Sequence, residues 1–523
     1  MNSRKILLSV SALVLVIGFC MVVSMLVGFL MGDNPADLQG FTWSIGICMA
    51  LGIAGLVAFW RKRPRQKAST GQSALRDGFL IILLSWVMAM LLGALPFIIG
   101  VGMRVSDALF ETASGLSTTG ASVIENNIPL LGGETLAGGL EALPKALLFW
   151  RQMLHWLGGI GFVMFVLLLL PKLGGGKQLY NAEVTGMKSS FDQTTPRIAS
   201  TARMMLGFYI LLTVAVTLAY RFGGMDSLYD AVCHAFATVA TGGFSTHAAN
   251  FGYYSTKPAL QWIATAGMFL SATNFMLLMK LLFHGRFEFH HDEEFKTYFA
   301  IVLACTMICT VQLLLSGQNT LLFSNGRLSA LDLESAIRVS AFHVVSVFSS
   351  TGFVTSDYTS WNLPGLPMMV LMLICIGGCG GSTCGGMKVS RSIVTFKHCI
   401  NEVRRKFFPH LMQNVFLNNV RIDPAVVQQT IAFMTLYVGT LCATTLLLPY
   451  LSNMDLETSL SAAVTTLGNA GPGLGALGPA NTFAAVSTPA KLLLTFNMIA
   501  GRLELFTAFV ILLPSFWKTR NVL

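Results

Sequence analysis

Ten apolar runs divide this sequence of 523 residues, and each is long enough to cross the roughly 30 Å hydrocarbon core of a membrane as a helix. They lie near 6–31, 42–60, 78–100, 146–170, 203–221, 258–283, 297–316, 365–395, 427–450 and 485–516. Only 11% of the residues are charged, whereas soluble domains carry about 25%. So few charged residues cannot provide the polar surface that a soluble enzyme, a disordered protein or a secreted disulfide scaffold needs. We therefore expect most of the chain to be surrounded by lipid.

Lysine and arginine are concentrated in alternate connecting segments. Five bases lie within 61–67 and three within 404–406, whereas 31–41, on the opposite side, has none and carries Asp33 and Asp37. Basic connections stay in the cytoplasm, so both termini are predicted to be cytoplasmic. The net charge of +10 therefore reflects membrane topology, and no nucleic-acid partner is expected.

Four shorter apolar stretches remain between these runs, on the outer side. They lie near 105–118, 228–240, 332–350 and 457–467. Each is too short or too rich in small residues to span a membrane, which predicts re-entrant helices. Each is followed by a glycine loop, and the shared glycines are Gly120, Gly243, Gly352 and Gly471, at intervals of 123, 109 and 119 residues. This near-equal spacing indicates four copies of one unit: span, short helix, glycine loop, span.

The repeated loop has a chemistry that suits a cation filter. Non-helical backbone at membrane depth is stable only where protein buries it or where it lines water. Four such loops around one axis would present a ring of carbonyl oxygens, which replaces the water shell of a monovalent cation, beside the partially negative C-termini of the short helices. The predicted filter residues are Thr118, Thr119, Gly120, Thr241, Gly242, Gly243, Ser350, Thr351, Gly352, Asn469, Ala470 and Gly471.

A second glycine-rich stretch, here called the broken segment (377–386), interrupts the run 365–395. Each glycine costs a helix about 1 kcal/mol relative to alanine, so this segment is predicted to unwind midway across the membrane, below the third glycine loop. We interpret it as a gate; a close-packed helix interface of small residues is the alternative. The predicted gate residues are Gly377, Gly378, Gly380, Gly381, Ser382, Thr383, Gly385, Gly386 and Arg502.

Arg502 lies inside the last apolar run, where charged side chains are rare and usually face a cavity or a partner. Glu504 follows two residues later, on a different face of a helix, and is a poor partner. The family resemblance described below implies that Arg502 lies in a pore beneath the glycine loops, where its charge opposes the passage of a cation. The alternative is a structural ion pair with another helix.

Other charged residues have plainer interpretations. Lys280, Lys491 and Arg151 lie near the ends of runs and are expected to extend their ammonium and guanidinium groups to the membrane surface. The stretch 290–294, His-His-Asp-Glu-Glu, is expected to be a solvated turn and not a metal site. The phosphate-loop pattern is absent, so this chain is not expected to bind a nucleotide.

Three motifs, together with the glycine loops, resemble the TrkH/TrkG/KtrB superfamily of potassium-translocating subunits over nearly the whole chain. They are WRQMLHWLGGIG at 150–161, GGCGGSTCGGMK at 377–388 and LGNAGPGLG at 467–475. Two extra N-terminal runs and the stretch 501–504 favour the TrkH-like branch.

This resemblance implies an all-α integral membrane protein with four M1–pore helix–M2 repeats around one central pore, preceded by two extra transmembrane helices. The implied domains are 1–70 for the two extra helices, then 71–175, 176–290, 291–400 and 401–523 for the repeats. The resemblance further implies a bacterial inner-membrane protein that forms a homodimer and works with a cytosolic, TrkA-like nucleotide-binding ring.

Potassium is the transported ion that this resemblance implies. Its ligands would be Thr118, Thr119, Thr241, Gly242, Ser350, Thr351, Asn469 and Ala470. Because each loop has a single shared glycine, we expect one dominant coordination site. Electrodiffusive conduction and ion-coupled symport with protons or sodium remain open. A coupled transporter with inverted repeats fits less well, and no clustered ionisable residues favour an enzyme.

Overall fold

The computed structural model describes residues 3–60, 71–161, 198–317, 320–361, 363–408 and 414–517. Within these ranges, six helices are long and apolar enough to cross a membrane: Ile6–Leu30, Pro35–Ala58, Arg76–Val101, Arg203–Phe222, Glu293–Leu315 and Pro424–Ser452. The all-α membrane class is confirmed. The predicted basic stretch at 61–67, most of 171–202 and nearly all of 517–523 lie outside the described residues.

Two N-terminal helices, α1 (Ser3–Leu30) and α2 (Pro35–Trp60), precede the repeated part of the chain and pack against each other. Asp33, in the turn between them, accepts hydrogen bonds from the backbone N–H groups of Lys145 (2.9 Å) and Ala146 (2.7 Å). These donors belong to a helix N-terminus, where a carboxylate is favourable. An acid in the turn between α1 and α2 thus connects the helical pair to the N-terminus of the helix that begins at Lys145.

Four successive units follow. Unit 1 has α3 (Gly71–Gly93), α4 (Val105–Leu116) and α5 (Lys145–Gly159); unit 2 has α6 (Ile198–Phe222), α7 (Leu228–Ala240), α8 (Pro258–Ala272) and α9 (Phe275–His284). Unit 3 has α10 (Glu293–Leu315), α11 (Leu333–Phe348), α12 (Leu366–Ile376) and α13 (Val389–Phe407); unit 4 has α14 (Pro424–Ser452), α15 (Leu456–Leu467), α16 (Thr488–Arg502), α17 (Phe506–Val510) and α18 (Pro514–Trp517). The domain boundaries at 70, 175, 290 and 400 stay a prediction.

The short helices α4, α7, α11 and α15 match the four predicted re-entrant stretches. They have 12, 13, 16 and 12 residues, which corresponds to roughly 18–24 Å at 1.5 Å per residue. None of these four lengths reaches across a bilayer. Each helix ends within two residues of its glycine loop.

In units 2, 3 and 4 the helix that follows the glycine loop is broken, which corrects the prediction of continuous spans at 258–283 and 485–516; in unit 1, residues 162–170 of the predicted span 146–170 lie outside the described residues. The helix direction bends by 101° between α8 and α9. Helix α12 stops at Ile376, and α16 stops at Arg502, before Glu504 and Leu505 take positive φ angles. The sequence predicted an interruption only in unit 3, because only there do glycines accumulate. In unit 2, the break is built from Asn274, whose side-chain oxygen caps α9 by accepting from the N–H of Met276.

Three two-stranded hairpins decorate the loops: β1 (Asn127–Pro129) with β2 (Thr135–Ala137), β3 (Thr320–Leu322) with β4 (Leu328–Ala330), and β5 (Phe416–Leu417) with β6 (Val420–Arg421). All three are antiparallel. The first hairpin lies between glycine loop 1 and α5, the second lies between α10 and α11, and the third follows α13 on the side predicted to be cytoplasmic.

The four units close into a ring. In each unit the long first helix packs on the short helix (α3 on α4, α6 on α7, α10 on α11, α14 on α15). The helix after each glycine loop packs on the short helix of the next unit (α5 on α7, α8 on α11, α12 on α15). In unit 4, α16 packs back on α4 of unit 1. A linear chain thus acquires cyclic order, with the short helices on the inside.

Candidate ion-conduction site

The four glycine loops have nearly the same backbone conformation. Two residues before each shared glycine, φ is positive: 56° at Thr118, 54° at Thr241, 52° at Ser350 and 53° at Asn469. The glycines themselves have φ values of 82° (Gly120), 81° (Gly243), 78° (Gly352) and 78° (Gly471). Left-handed conformations are uncommon for residues with a side chain and persist where the surroundings impose them. Four repetitions of the same unusual pair indicate one shared structural role.

The same glycines bring the loops into one ring. A Cβ atom added to each would overlap a backbone carbonyl oxygen of the next loop: Gly120 against Gly242, Gly243 against Thr351, Gly352 against Ala470, and Gly471 against Thr119. The fourth loop therefore contacts the first. All twelve predicted filter residues lie in these loops. The hydroxyl residue that begins each of the first three loops is fully buried: Thr118, Thr241 and Ser350.

Side chains near the ring differ from loop to loop. Asn469 donates to the hydroxyl of Thr119 (3.0 Å) and to the carbonyl of Met498 (2.9 Å). In loops 1 and 3, Thr119 and Thr351 share hydrogen bonds of 2.7 Å with Ser117 and Ser349. The backbone is thus fourfold in pattern, whereas the side-chain hydrogen bonds that support it are alike in loops 1 and 3 and different in loop 4.

His155 on α5 explains why loop 2 has glycine at a position where loops 1 and 3 have threonine. A Cβ at Gly242 would overlap its imidazole ring. The Nε2 atom accepts from the N–H of Phe244 (3.2 Å), so Nδ1 carries the proton that is donated to the carbonyl of Gly115 (2.8 Å). The ring also stacks on Phe244, with centroids 4.2 Å apart. His155 therefore braces loop 2 against unit 1.

Arg151, one helical turn earlier, forms a buried ion pair with Glu111 of α4. The side chains are 2% and 0% exposed, and Nε lies 2.8 Å from Oε1. Glu111 also accepts from the N–H of Val123 (3.0 Å), just after loop 1, and the guanidinium lies 3.9 Å from the ring centre of Phe244, just after loop 2. The prediction that Arg151 reaches the membrane surface is wrong, because a carboxylate lies within reach in the interior.

Lys491 is a second correction. Its Nζ lies 2.7 Å from Oδ1 of Asp107, and the two side chains are 7% and 6% exposed. This pair joins α16 of unit 4 to α4 of unit 1. Lys280, by contrast, keeps 38% of its side chain exposed and pairs with Glu288.

The broken segment is non-helical, as predicted, and the unwound part extends to Lys388 before α13 begins. It packs directly against the glycine loops. The N–H of Gly385 donates to the hydroxyl of Ser350 (2.7 Å), and the hydroxyl of Thr241 donates to that of Thr383 (3.3 Å). A Cβ at Gly385 would overlap the carbonyl of Gly468. One short stretch thus contacts units 2, 3 and 4 beneath the ring.

The remaining predicted gate residues lie within the same stretch and fold it on itself. Gly377 and Gly386 have φ values of 70° and 76°. A Cβ at Gly377 would overlap the backbone of Gly385, and a Cβ at Gly386 would overlap the backbone of Gly377. Gly378 lies against Cys384, and the hydroxyl of Ser382 donates to the carbonyl of Cys379. Gly381 lies beside Asn274, at the break in unit 2.

Arg502 bridges three units at this level. Its Nη1 donates to the carbonyl of Thr383 (2.6 Å) in the broken segment, and its Nη2 donates to the carbonyls of Gly158 (2.7 Å) and Gly159 (3.0 Å). These last two lie at the C-terminus of α5, where partial negative charge favours a cation. Glu504 is 2.6 Å from the guanidinium of Arg391. The arginine therefore lies against the broken segment, and its predicted place in a pore and in a gate stays a prediction.

One further residue of this site was missed. Glu294 was expected in a solvated turn, yet its side chain is 6% exposed and its Oε1 accepts from the N–H of Gly380 (2.6 Å). The only sequence signal is its position, at the first turn of a span. Among the described residues, no group of His, Cys, Asp and Glu could hold a metal ion, and the stretch 290–294 is no exception.

Comparisons with known proteins agree with this architecture. The profile of the TrkH family, described as cation transport protein, matches residues 48–518. The Trk system potassium uptake protein TrkH of Escherichia coli K12 is 35% identical over 522 residues, which cover 99% of this chain and all of that protein. The Trk system potassium uptake protein TrkG of the same strain is 31% identical over 459 residues, covering 87% of this chain and 88% of that protein.

A crystal structure of the potassium transporter TrkH from Vibrio parahaemolyticus superposes with a TM-score of 0.81 at 32% identity, over 99% of this chain and 100% of that one. This match confirms the fold class and the TrkH-like branch. The family consists of transporters, so the protein is not an enzyme. With matches over nearly its full length, the chain belongs to the TrkH family.

Proposed function

We propose that this protein is the potassium-translocating subunit of a bacterial potassium uptake system, and that the four glycine loops form its selectivity filter. Membership of the TrkH family supports potassium transport across the inner membrane by a multi-pass protein. The observation that carries the filter assignment is the closed ring, in which each shared glycine lies against the next loop's carbonyl oxygen. Rubidium or potassium uptake into liposomes that contain the purified protein tests the function.

The filter acts by replacing water. Backbone carbonyl oxygens of the eight residues named above as ligands take the place of the hydration shell of K⁺. The four short helices end at this ring, so their partially negative C-termini favour a cation there. Both contributions come from backbone, which agrees with the same two left-handed φ values in every loop.

Moderate selectivity follows from this geometry. Each loop contributes one left-handed glycine to the ring, so few carbonyl layers are available to discriminate between ions. We expect one dominant binding site and a measurable sodium permeability, greater than that of tetrameric potassium channels. Bi-ionic reversal potentials in planar bilayers measure this ratio. A sodium permeability as low as that of a tetrameric channel would contradict the single-site filter.

The broken segment and Arg502 are proposed as the gate. The segment packs under the ring, and the guanidinium fixes it to α5 across the molecule. A unit positive charge about 5 Å from a passing K⁺, at an effective dielectric constant of about 20, raises the barrier by about 3 kcal/mol. Movement of the segment together with Arg502 would remove both the obstruction and the charge.

Arg502→Ala is therefore expected to raise potassium flux at least several-fold, because it removes both the charge and the three carbonyl contacts. Arg502→Lys keeps the charge and should remain closer to the original protein. Liposome flux at equal protein content is the measurement. Arg405, which is exposed on α13, provides the control Arg405→Ala. Unchanged flux in Arg502→Ala would show that this arginine has no gating role.

The proposed partners are a second copy of the chain and a cytosolic, TrkA-like nucleotide-binding ring. The cytoplasmic side offers a basic docking surface in the last turn of α13, where Arg404, Arg405 and Lys406 are exposed. Both termini are proposed to lie on this side. Proton or sodium dependence of uptake under clamped membrane potential separates ion-coupled symport from electrodiffusive conduction.

A further inference from the structure

Glu294 connects the start of α10 to the broken segment. Its single oxygen Oε1 accepts from the N–H of Gly380 (2.6 Å) and from the N–H of Ser390 (3.0 Å). Gly380 lies within the broken segment, and Ser390 is the second residue of the helix that follows it, α13. One buried carboxylate therefore holds both the segment and the point at which helical structure resumes.

These two N–H groups need an acceptor because the helix is interrupted. The first N–H groups of any helix lack intrahelical partners, so the N–H of Ser390 is left free by the start of α13. The N-terminus of α13 also carries partial positive charge, which favours a carboxylate. Hydrogen bonds to an ionised acceptor are roughly twice as strong as neutral ones. Glu294 thus accepts hydrogen bonds from N–H groups that lack a helical partner because the segment is unwound here.

The carboxylate is held from the cytoplasmic side. Asp292 caps α10 by accepting from the N–H of Phe295 (2.8 Å). Asn418, in the β5–β6 turn, donates to Asp292 (3.0 Å) and accepts from the N–H of Glu293 (2.7 Å). The backbone around Glu294 therefore belongs to a fixed framework, whereas the segment that it binds is rich in glycine.

A buried carboxylate normally pairs with a cation, and here the partners are the N–H groups of Gly380 and Ser390 together with the hydroxyl of Ser390. Across the described ranges, Glu294 takes part in none of the ion pairs. Its interactions with the protein therefore depend on the conformation of the broken segment. If the broken segment moves relative to α13, the carboxylate loses the hydrogen bond from Gly380, so the contacts of Glu294 change with the position of the segment.

We propose that Glu294 is a positioning residue that holds the broken segment closed beneath the filter. This inference rests on the proposed gate and adds a second attachment, which is opposite in charge to Arg502 and binds the segment at a different residue. Arg502 holds the segment at Thr383, and Glu294 holds it at Gly380. Loss of Glu294 frees one end while Arg502 still binds the other.

The test compares Glu294→Ala and Glu294→Gln with Glu288→Gln, a change in the same cytoplasmic turn at a half-exposed acid that does not contact the segment. Two measurements are made on the full-length protein in liposomes: rubidium flux, and the rate at which N-ethylmaleimide modifies Cys379. Cys379 lies in the broken segment and is buried, and Cys309, equally buried in α10, is the internal reference. Peptide mass spectrometry separates the two thiols.

Glu294→Ala is expected to raise basal flux several-fold and to speed modification of Cys379 at least tenfold, with Cys309 unchanged. Glu294→Gln keeps one acceptor oxygen and should give a smaller increase, which remains measurable if the alanine variant does not fold. An unchanged modification rate at Cys379 overturns the inference. Equal increases in the modification rates of Cys379 and Cys309 also overturn it, because they indicate that Glu294 has a merely structural role. Arg502→Ala serves as the reference variant. If Arg502→Ala increases flux and Glu294→Ala does not, only the role of Glu294 is refuted. If Arg502→Ala has no effect on flux, the gate itself is refuted.

Discussion

Gly352→Ala is expected to reduce potassium flux about 100-fold. The added methyl group would overlap the carbonyl oxygen of Ala470 and approach Pro472, and the backbone has φ +78°, which disfavours any L-residue by about 1–2 kcal/mol. The ring must open to accommodate it. If the displaced carbonyls raise the transport barrier by about 3 kcal/mol, the rate falls about 100-fold. Liposome flux per folded protein is the measurement.

Gly326 provides a matched control for this prediction. It also has φ +78°, but no atom lies within 4 Å of the position that a Cβ would occupy. Gly326→Ala therefore introduces the same backbone strain without crowding a carbonyl. Near-normal flux in Gly326→Ala, beside the large loss in Gly352→Ala, attributes the effect to the ring. Equal losses would indicate that strain alone is responsible.

Arg151→Met is expected to destabilise the protein by about 3–5 kcal/mol. Removal of one partner from a buried ion pair leaves the other charge without compensation, and Glu111 is fully buried. The double variant Arg151→Met/Glu111→Gln should recover part of this loss, since no unpaired charge remains. Thermal unfolding in detergent measures stability, and bi-ionic potentials report whether loops 1 and 2 keep their alignment.

Arg405 again supplies the comparison, because it forms an ion pair with Glu402 while 64% of its side chain is exposed. Exposed pairs contribute about 0–1 kcal/mol, so Arg405→Met should hardly change the unfolding temperature. A similarly small effect of Arg151→Met would mean that the buried pair does not brace the filter. A double variant as unstable as Arg151→Met alone would also argue against an uncompensated charge as the cause.

Much of the structure around the glycine loops could be predicted from the sequence, because its signals are local. A short apolar stretch that ends in a glycine predicts a short re-entrant helix and a loop wherever it occurs, and the structure has a short helix followed by a left-handed glycine at all four places. The accumulated glycines at 377–386 predict an interruption for the same reason. A charge within an apolar run, as at Arg502, predicts an internal position. Each inference needs only a few neighbouring residues.

The remaining features depend on residues far apart in the chain. Lys491 and Asp107 are 384 positions apart, and a lysine near the end of a span reaches either the surface or a buried acid according to what faces it. The break at Asn274 lacks the glycines that marked the break in unit 3. Glu294 lies in a polar stretch that is typical of a solvated turn, and its burial follows from the position of Gly380. Contacts between residues so far apart in the chain form only when the four units pack together into the ring.

A density map of the protein with thallium in place of potassium tests the central claim most directly. The anomalous signal should show one dominant ion on the axis of the ring, surrounded by the carbonyl oxygens of Thr119, Gly242, Thr351 and Ala470. The signal should disappear in Gly352→Ala. An ion bound elsewhere, with the four loops unoccupied, would contradict the account.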